Sequence, residues 1–406
     1  MTLQTSSTPH VKCPDVPIGH SKQEYFVFLN TSSHSTKSVT KSHFKMLTEC
    51  FGLDVEKVTS VKSKNGMVKR CTANDKKIID FSVKESFAAY SAFFDESFVK
   101  HYLSKANDVE FVEKVTKVSV DATTTQSNAP FNLDRIDQVN LPLDKNYKFP
   151  SEAGGGVNVF VIDTGIDTSH AEFEGRAVFG GAFCDGCRNT DDNGHGTNVA
   201  GIIGGKKFGV AKKTRLIAVK VLDKNGSGST TTVGAGIVFV IDQHKKSKNK
   251  NSIINISIGG KQSKAINKLV EECTNAGIHV VVSSGNDAAD ACNTSPASAP
   301  SAITVGATEK TSNQVTDFSN TGSCVDIFAP GRDIVAAGIS GKEKLSTFSG
   351  TSQASPHVAG ALALIINNRG NMDPSLMAKE LTKISTKNVV KGLNSYTPNV
   401  FLRIPM

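Results

Sequence analysis

Three side chains in this sequence, Asp163, His195 and Ser352, are of the types that carry out nucleophilic catalysis. A serine hydroxyl becomes a nucleophile when a histidine takes its proton and a carboxylate holds that histidine in the correct tautomer. Asp163 follows an apolar run in VIDTGID, and His195 lies between glycines in NGHGT. Each of them alone is most simply a structural residue. The order Asp, His, Ser is nevertheless one arrangement of an acyl-transfer triad, if the fold brings them together.

The serine occurs in FSGTSQASPHVAGALALIIN, where small polar residues give way to a long apolar run. Pro356 is best tolerated in the first turn of a helix, where its missing N–H costs nothing. We therefore predict a buried helix over Ser352–Asn367 with the serine at its N-terminus. Free N–H groups there could stabilise an oxyanion, although a lone serine at such a position is usually only a cap. Asn286, in VVVSSGN, could add its side-chain amide.

The elements that would position these residues alternate between short apolar runs and helical segments. Strands are predicted at Val157–Ile162, Leu216–Leu222, Ile253–Ile258, Ile278–Val282 and Ile303–Val305, and helices at His195–Gly204, Thr231–His244 and Ser263–Asn275. This alternation predicts an α/β fold with a parallel sheet. Functional residues of such sheets gather at the C-terminal ends of the strands, where Asp163 and Asn286 fall.

A smaller region precedes this sheet. Residues 1–22 are polar and are predicted to be disordered. Residues 23–120 follow the order β-α-β-β-α-β, which predicts a small α+β ferredoxin-like domain. The third region, 121–406, begins with the polar stretch DATTTQSNAP, which we expect to be exposed and open to a protease.

Composition excludes some classes of function. The chain has 406 residues, enough for two domains, and its net charge of +8 is spread over both of them, so no nucleic-acid partner is expected. No apolar run approaches the roughly 18–20 residues of a membrane span. The first residues, MTLQTSSTPHVKCPDVP, lack the apolar core of a signal peptide, which by itself argues against secretion.

The motifs around the three residues resemble the subtilisin-like (S8) serine peptidases. VIDTGID, NGHGT and GTSQASPHVAG carry this resemblance, and SHAEFEGRA, VLDKNGSGS, SPASAPS and FSNTGSCVDIFAPG are similar to the proteinase K branch. The resemblance covers about residue 128 to the C-terminus. It implies a secreted, monomeric endopeptidase that uses no organic cofactor, with Asp163, His195 and Ser352 as its triad and Asn286 in its oxyanion hole.

The resemblance extends to the N-terminal domain. Residues 24–117 look like the inhibitory propeptide of the same family, and TTQSNAPFNLDRI resembles the start of a mature enzyme. Self-cleavage near Thr123–Thr124 is therefore implied, with the mature chain beginning near residue 124. The propeptide would be an intramolecular inhibitor of the cleft until it is removed.

Protein and peptide substrates are implied, together with the residues that bind them. Ser257, Ile258 and Gly259 would pair with the substrate backbone as an added strand, and Gly226, Ser227 and Gly228 would pair from the opposite edge. Ser283, Ser284 and Gly285 would complete the primary specificity pocket. No acidic residue in these segments demands a basic substrate, so we expect a broad preference for apolar and aromatic side chains.

A structural calcium ion is also implied. Pro300, Ala302 and Asp326 match a site of the proteinase K branch, in which Asp326 would supply a carboxylate and the other two would supply backbone oxygens. Asp326 could equally be a solvated loop carboxylate.

The chain departs from the family pattern at several positions. The usual histidine after GHGT is Asn198, and the usual methionine after the nucleophile is Gln353, which removes an oxidisable thioether. Ser283 and Ser284 stand where alanines are common. Among the cysteines, Cys292 and Cys324 could form a bridge, Cys184 and Cys187 could form a tight disulfide or half of a zinc site, and Cys273 is expected to be a buried thiol.

Two other functions compete with a self-processing serine endopeptidase. A catalytically inactive binding or inhibitory protein could keep the subtilisin fold, but the intact Asp163, His195, Asn286 and Ser352 argue against it. An esterase or lipase would be expected to carry a Gly-x-Ser-x-Gly elbow, and the nucleophile segment lacks one.

Overall fold

The computed structural model describes residues 22–31, 36–51, 59–60, 79–80, 87–115 and 123–405. The chain forms two compact units, Met1–Val118 and Ser119–Met406. The segment predicted to be disordered lies outside the described residues, except for Lys22, which begins the first strand.

The first unit is built on a five-stranded sheet. Its strand order is β2-β3-β4-β1-β5, and β1 pairs antiparallel with both β4 and β5. Val27, Leu47 and Tyr90 are buried in the core between this sheet and its helices. The element order β-α-β-β-β-α-β differs from the predicted ferredoxin-like order β-α-β-β-α-β by one strand, the two-residue β2, which pairs with β3. The elements are β1 (Lys22–Leu29), α1 (Thr36–Phe51), β2 (Thr59–Ser60), β3 (Ile79–Asp80), β4 (Ala88–Asp95), α2 (Glu96–His101) and β5 (Val109–Lys114).

The second unit is the predicted α/β fold. Its helices are α3 (Phe131–Asp137), α4 (His195–Gly204), α5 (Thr230–Lys246), α6 (Lys264–Asn275), α7 (Thr351–Arg369) and α8 (Pro374–Ile384). Its strands are β6 (Thr123–Ser127), β7 (Asn146–Pro150), β8 (Asn158–Asp163), β9 (Ala177–Ala182), β10 (Arg215–Lys220), β11 (Ser252–Ile256), β12 (Gly260–Lys261), β13 (His279–Ser283), β14 (Thr294–Ser295), β15 (Ile303–Thr308), β16 (Ile327–Pro330), β17 (Ile334–Ala337), β18 (Leu345–Phe348), β19 (Thr386–Lys387) and β20 (Val400–Phe401).

Nine of these strands form one sheet in the order β19-β20-β16-β15-β13-β11-β8-β10-β9. All its neighbouring strands run parallel except the pair β19 and β20. Every residue of β11 and β13 is buried, as expected for strands covered on both faces. Helix α7 packs with α4 on one face, and α5 and α6 cover the other. The C-terminal ends of β8, β11 and β13 therefore meet at one edge.

Helix α7 begins at Thr351, so Pro356 lies in its interior and not in the first turn, where we predicted it. A proline there cannot donate to the carbonyl oxygen of Ser352. The hydroxyl of Ser257 donates to that oxygen at 2.9 Å and replaces the missing N–H. A partner from a neighbouring strand thus allows the helix to continue past the proline.

Two disulfides are present in the second unit. Cys292 is bonded to Cys324 as expected, and Cys184 is bonded to Cys187, which resolves that pair in favour of a tight disulfide. Cys273 is a buried free thiol on α6, and burial raises its pKa to about 12. Among the described residues, no helix combines the length and the apolar composition that crossing a bilayer requires.

Candidate active site

Asp163 and His195 form a hydrogen-bonded pair. Asp163 is the buried last residue of β8, and His195 is the first residue of α4, with 26% of its side chain exposed. The imidazole Nδ1 lies 2.8 and 2.9 Å from the two carboxylate oxygens. Nδ1 must carry the proton to donate to a carboxylate, so Nε2 is left free to accept one.

The loop before His195 is fixed by Asp191. Its carboxylate accepts hydrogen bonds from the backbone N–H groups of Gly194, at 2.9 Å, and of Thr197, also at 2.9 Å. Gly194 has φ +104°, a conformation that favours glycine. A Cβ on Gly196 would lie 2.1 Å from a backbone oxygen, so the two glycines of NGHGT are required for the helix to start beside Asp163.

Opposing effects act on the pKa of His195. Burial lowers it, but the charges of Asp163 and Asp191 and the hydrogen bond to Asp163 raise it by more. The pKa therefore lies above the ordinary value of 6.5. A carboxylate that favours the imidazolium in this way makes the imidazole a stronger base.

Ser352 is the second residue of α7 and is half-buried. Its backbone N–H belongs to the first turn, where helical N–H groups have no intrahelical partner. Its hydroxyl donates to the carbonyl oxygen of Ser257 at 2.9 Å, and the Ser257 hydroxyl donates in turn to the carbonyl oxygen of Ser352. The two serines thereby join the start of α7 to the end of β11.

Asn286 is exposed just beyond β13, and its side chain is oriented by Thr351. The amide oxygen of Asn286 accepts hydrogen bonds from the Thr351 backbone N–H at 2.8 Å and from its hydroxyl at 3.0 Å. Because the oxygen is occupied, the NH₂ group is the end of the amide left for a ligand. Thr351 was not among the residues predicted from the sequence. Its position directly before the serine was the only available signal.

A cavity of about 610 Å³ opens beside His195. It is lined by Gly226, Ser227 and Gly228 and by Ser257, Ile258 and Gly259. Two of the predicted substrate-binding segments therefore line one cleft, next to the imidazole. Leu222, Val233 and Ile266 give the cavity a largely apolar lining.

Comparison with known proteins identifies the family. A model of the Subtilase family, Peptidase_S8, matches residues 154–397. The chain belongs to the subtilase family. Subtilisin-like protease 3 of Pseudogymnoascus destructans is 45% identical over 293 residues, which cover 71% of this chain and 72% of that protein. Alkaline protease 2 of Aspergillus fumigatus is 39% identical over 343 residues, which cover 79% and 69%.

A solved structure leads to the same family. The crystal structure of a cold adapted subtilisin-like serine proteinase is 43% identical, with a TM-score of 0.65, and the match covers 69% of this chain and all of that one. This subtilase is accordingly a subtilisin-like serine protease, and so a hydrolase.

The third predicted substrate segment of the subtilase is placed differently. Ser283 and Ser284 are buried, and the Ser284 hydroxyl donates to the carbonyl oxygen of Asn320 at 3.1 Å. Gly285 donates its N–H to the Thr351 hydroxyl at 3.2 Å. Of the described residues, these three do not line the 610 Å³ cavity. The Ser284 hydroxyl is therefore bonded within the protein.

Pro300, Ala302 and Asp326 line a second cavity, of about 880 Å³, at the side of the subtilase sheet. One oxygen of Asp326 accepts the N–H of Thr304 at 2.8 Å. Desolvation nonetheless raises the pKa of Asp326 to about 6. No group of three or more Asp, Glu, His or Cys side chains able to hold a metal occurs in the described parts of the chain. Asp373 also lines the cavity, where its carboxylate caps α8. A cation at Asp326 would depend on the Asp326 carboxylate and on backbone oxygens, which are donors that fit Ca²⁺.

Two of the residues that depart from the family pattern, Asn198 and Gln353, contact each other. The Gln353 side-chain amide lies 3.4 Å from Oδ1 of Asn198, and both residues are buried. Asn198 also donates to Ser346, at 3.2 Å to the carbonyl oxygen and 3.1 Å to the hydroxyl. These contacts connect α4, α7 and β18 behind the candidate triad.

Proposed function

We propose that this subtilase hydrolyses peptide bonds through an acyl-enzyme on Ser352, with His195 as general base and Asp163 as its orienting carboxylate. The observation that carries the proposal is the Asp163–His195 pair, which lies beside a cleft with the imidazole Nε2 free. Ser352, at the N-terminus of α7, supplies the nucleophile.

In the first half of the reaction, Nε2 of His195 takes the hydroxyl proton as Ser352 Oγ attacks the substrate carbonyl carbon. The carbonyl oxygen gains negative charge and is stabilised by the Asn286 NH₂ group and the Ser352 N–H. His195 then gives its proton to the leaving amine, and the peptide bond breaks. In the second half, water repeats the sequence on the ester and releases the acid.

Substrate binding prepares the nucleophile. Before substrate arrives, the Ser352 hydroxyl donates to the Ser257 carbonyl oxygen. A substrate strand that pairs with residues 257–259 brings its own N–H to such carbonyl oxygens. The Ser352 hydroxyl is then released and turns towards His195, which forms the catalytic hydrogen bond only in the complex.

The preference is for extended segments with apolar or aromatic side chains. Leu222, Val233, Ile258 and Ile266 contribute apolar surface to the cleft, whose one charged side chain besides His195 is the cation Lys261. Within the described part of the chain, this lining has no carboxylate to bind a basic substrate residue.

The subtilase is made as a zymogen and acts as a secreted monomer. The first unit is the inhibitory propeptide, and self-cleavage occurs near Thr123–Thr124. The motif resemblance supports this, as does the exposure of both threonines at the start of β6. Strand β6 pairs with β7, which would hold the new N-terminus on the catalytic unit.

Calcium stabilises the enzyme through Asp326 and the backbone oxygens of Pro300 and Ala302. The raised pKa of Asp326 supports this, because a divalent cation would offset the desolvation of its carboxylate. Lys379, Lys383 and Lys387 line the same cavity, so the ion is expected to bind weakly. It would contribute to stability and take no part in the chemistry.

Intact mass spectrometry of the wild type and of Ser352→Ala, with and without a fluorophosphonate, tests the proposal. A wild-type chain shortened to begin near Thr124 and carrying one adduct, beside an uncut and unlabelled mutant, is the expected result. The proposal would be overturned if the wild type and Ser352→Ala are both uncut and unlabelled, and the wild type still takes no label after treatment with a trace of active protease. That result would favour an inactive binding protein. Labelling that appears only after such treatment would retain the triad and refute self-processing.

A further inference from the structure

Lys220 is completely buried, yet no step of peptide hydrolysis uses it. It is the last residue of β10 and pairs in register with Asp163 at the end of β8. Burying an ammonium group is costly unless it is paired and hydrogen-bonded, so its partners indicate what it stabilises.

Two loops of the candidate site meet at the Lys220 ammonium. It donates to the carbonyl oxygen of Thr164 at 2.6 Å and to a carboxylate oxygen of Asp192 at 2.8 Å. Thr164 follows Asp163 directly, and Asp192 lies three residues before His195. One buried side chain therefore joins the loop after the carboxylate to the loop before the imidazole.

Thr164 is held by its hydroxyl as well. That hydroxyl donates to Asp191 at 2.9 Å and accepts the N–H of Gly196, also at 2.9 Å. Gly196 is the residue after His195. A displacement of the Thr164 peptide would therefore be passed directly to the first turn of α4 and so to the imidazole.

We propose that Lys220 is a positioning residue for peptide hydrolysis: by tying Thr164 to Asp192, its ammonium holds Asp163 and His195 at the separation that proton transfer needs. This rests on the triad proposed above. A misplacement of about 1 Å in such a site can cost up to about 10²-fold in rate. The loss falls on kcat, because Lys220 lies outside the substrate cleft.

Lys220 also balances the charge of Asp192, which lies three residues before His195. Without its ammonium, the Asp192 carboxylate is uncompensated and favours the imidazolium, which moves the acid limb of kcat/KM to higher pH. Removing the Asp192 charge has the opposite effect. The other charged groups around the pair are Asp163, Asp191, Asp223 and Arg188. A merely structural lysine would not shift this limb.

Lys220→Met tests the proposal, because methionine fills a similar volume without a charge or a donor. Lys212→Met is the matched control. Lys212 also donates to backbone carbonyl oxygens, of Gly209 at 2.9 Å and Lys207 at 3.3 Å, and it packs beside Tyr147 and Phe149, away from the triad. Each rate is measured on a peptide substrate and expressed per fluorophosphonate-labelled site, so unfolded protein does not count.

We expect Lys220→Met to lower kcat by about 10- to 100-fold, with KM within about twofold of the wild type and the acid limb at higher pH. Lys212→Met should keep the wild-type kcat. Equal kcat per labelled site in Lys220→Met and wild type, or an equal loss in Lys212→Met, would overturn the positioning role.

Asp192→Asn keeps the inference testable if Lys220→Met does not fold, because Asp192 is partly exposed. It should lower kcat several-fold and move the acid limb to lower pH. An unchanged kcat and pH profile in this variant would count against the role of the pair. If the wild type takes no label even after proteolytic activation, the triad proposal itself is refuted. This outcome is distinct from a labelled wild type whose kcat does not depend on Lys220, which would refute only the positioning role.

Discussion

The raised pKa of His195 connects one contact to the pH dependence of the enzyme. The imidazole must be neutral to accept the Ser352 proton, so activity rises as the pH rises through this pKa. Because the pKa lies above 6.5, half-maximal kcat/KM on the acid side is expected above that pH. A pH profile with a small peptide substrate measures it, and an acid limb below pH 6 would contradict the electrostatic role of Asp163.

Asp163→Asn removes the charge and keeps the shape of the side chain. We expect kcat to fall by about 10⁴-fold, since an amide can bind the wrong tautomer of His195. The acid limb should move to lower pH, because the largest charge that raises the pKa is gone. Asp167→Asn, in the same VIDTGID motif, is the control, because in the described part of the chain the Asp167 carboxylate accepts hydrogen bonds only from Ser169. A loss of similar size in both variants would point to a general disturbance of the loop.

At the scale of elements, the interior proline of α7 makes the helix depend on a neighbouring strand. Ser257→Ala removes the donor to the Ser352 carbonyl oxygen and should cost about 1–3 kcal/mol of unfolding free energy. Pro356→Ala restores a backbone N–H to that oxygen. In its presence, Ser257→Ala should cost about 1 kcal/mol less.

Urea unfolding of the parent, the Ser257→Ala and Pro356→Ala variants and the double variant measures the coupling free energy. All four carry Ser352→Ala, which prevents self-digestion. Ser301→Ala, at an exposed serine, is the control for the loss of a hydroxyl. Strictly additive effects of the two substitutions would show that the Ser257 hydroxyl does not replace the proline's missing donor.

The elements could be predicted from the sequence more completely than the contacts between them. Alternating apolar runs located β8, β11 and β13 to within one or two residues, because burial on both faces leaves a local pattern. Helix α4 was predicted with its observed bounds, since glycines mark its start and end. The start of α7 was predicted one residue late, because Pro356 was assigned to the first turn.

Contacts that join distant segments left no local signal. The hydrogen bond of Ser257 to α7, the role of Thr351 beside Asn286, and the burial of Lys220 each depend on residues far apart in the chain. The motif resemblance supplied the candidate triad, and spacing alone could not have shown that Asp163 and His195 lie in contact.

At the scale of the whole molecule, the two disulfides should contribute unequally to stability. The bond between Cys292 and Cys324 joins residues 32 apart, and that between Cys184 and Cys187 joins residues 3 apart. Closing the longer loop restricts the unfolded chain more. In the chain-entropy model, the longer-loop disulfide contributes about 4 kcal/mol to the free energy of unfolding and the shorter-loop disulfide about 2 kcal/mol. Urea unfolding of the two double-serine variants measures the difference, and equal losses would contradict the ranking.

The calcium proposal predicts a stability that depends on pH and on metal. In chelator, the raised pKa of Asp326 means that ionising it opposes folding, so stability should fall as pH rises from 3.8 to about 6. At pH values above that range, added Ca²⁺ should raise the thermal unfolding temperature. Asp326→Asn should lose the response to calcium and part of the pH dependence, the rest of which comes from other carboxyl groups such as Asp137. A wild type with the same melting curve in chelator and in calcium would remove the metal from the account.

The contact between Asn198 and Gln353 has a consequence for how this sequence can change. Each amide is buried, and each is the other's partner across two helices. A change at either position alone leaves a buried polar group with one partner fewer, which is unfavourable. A lineage that drifts from one pair of residues to another must therefore pass through a less fit intermediate or alter both positions together. The two sites are expected to be epistatic, and relatives should change them as a pair.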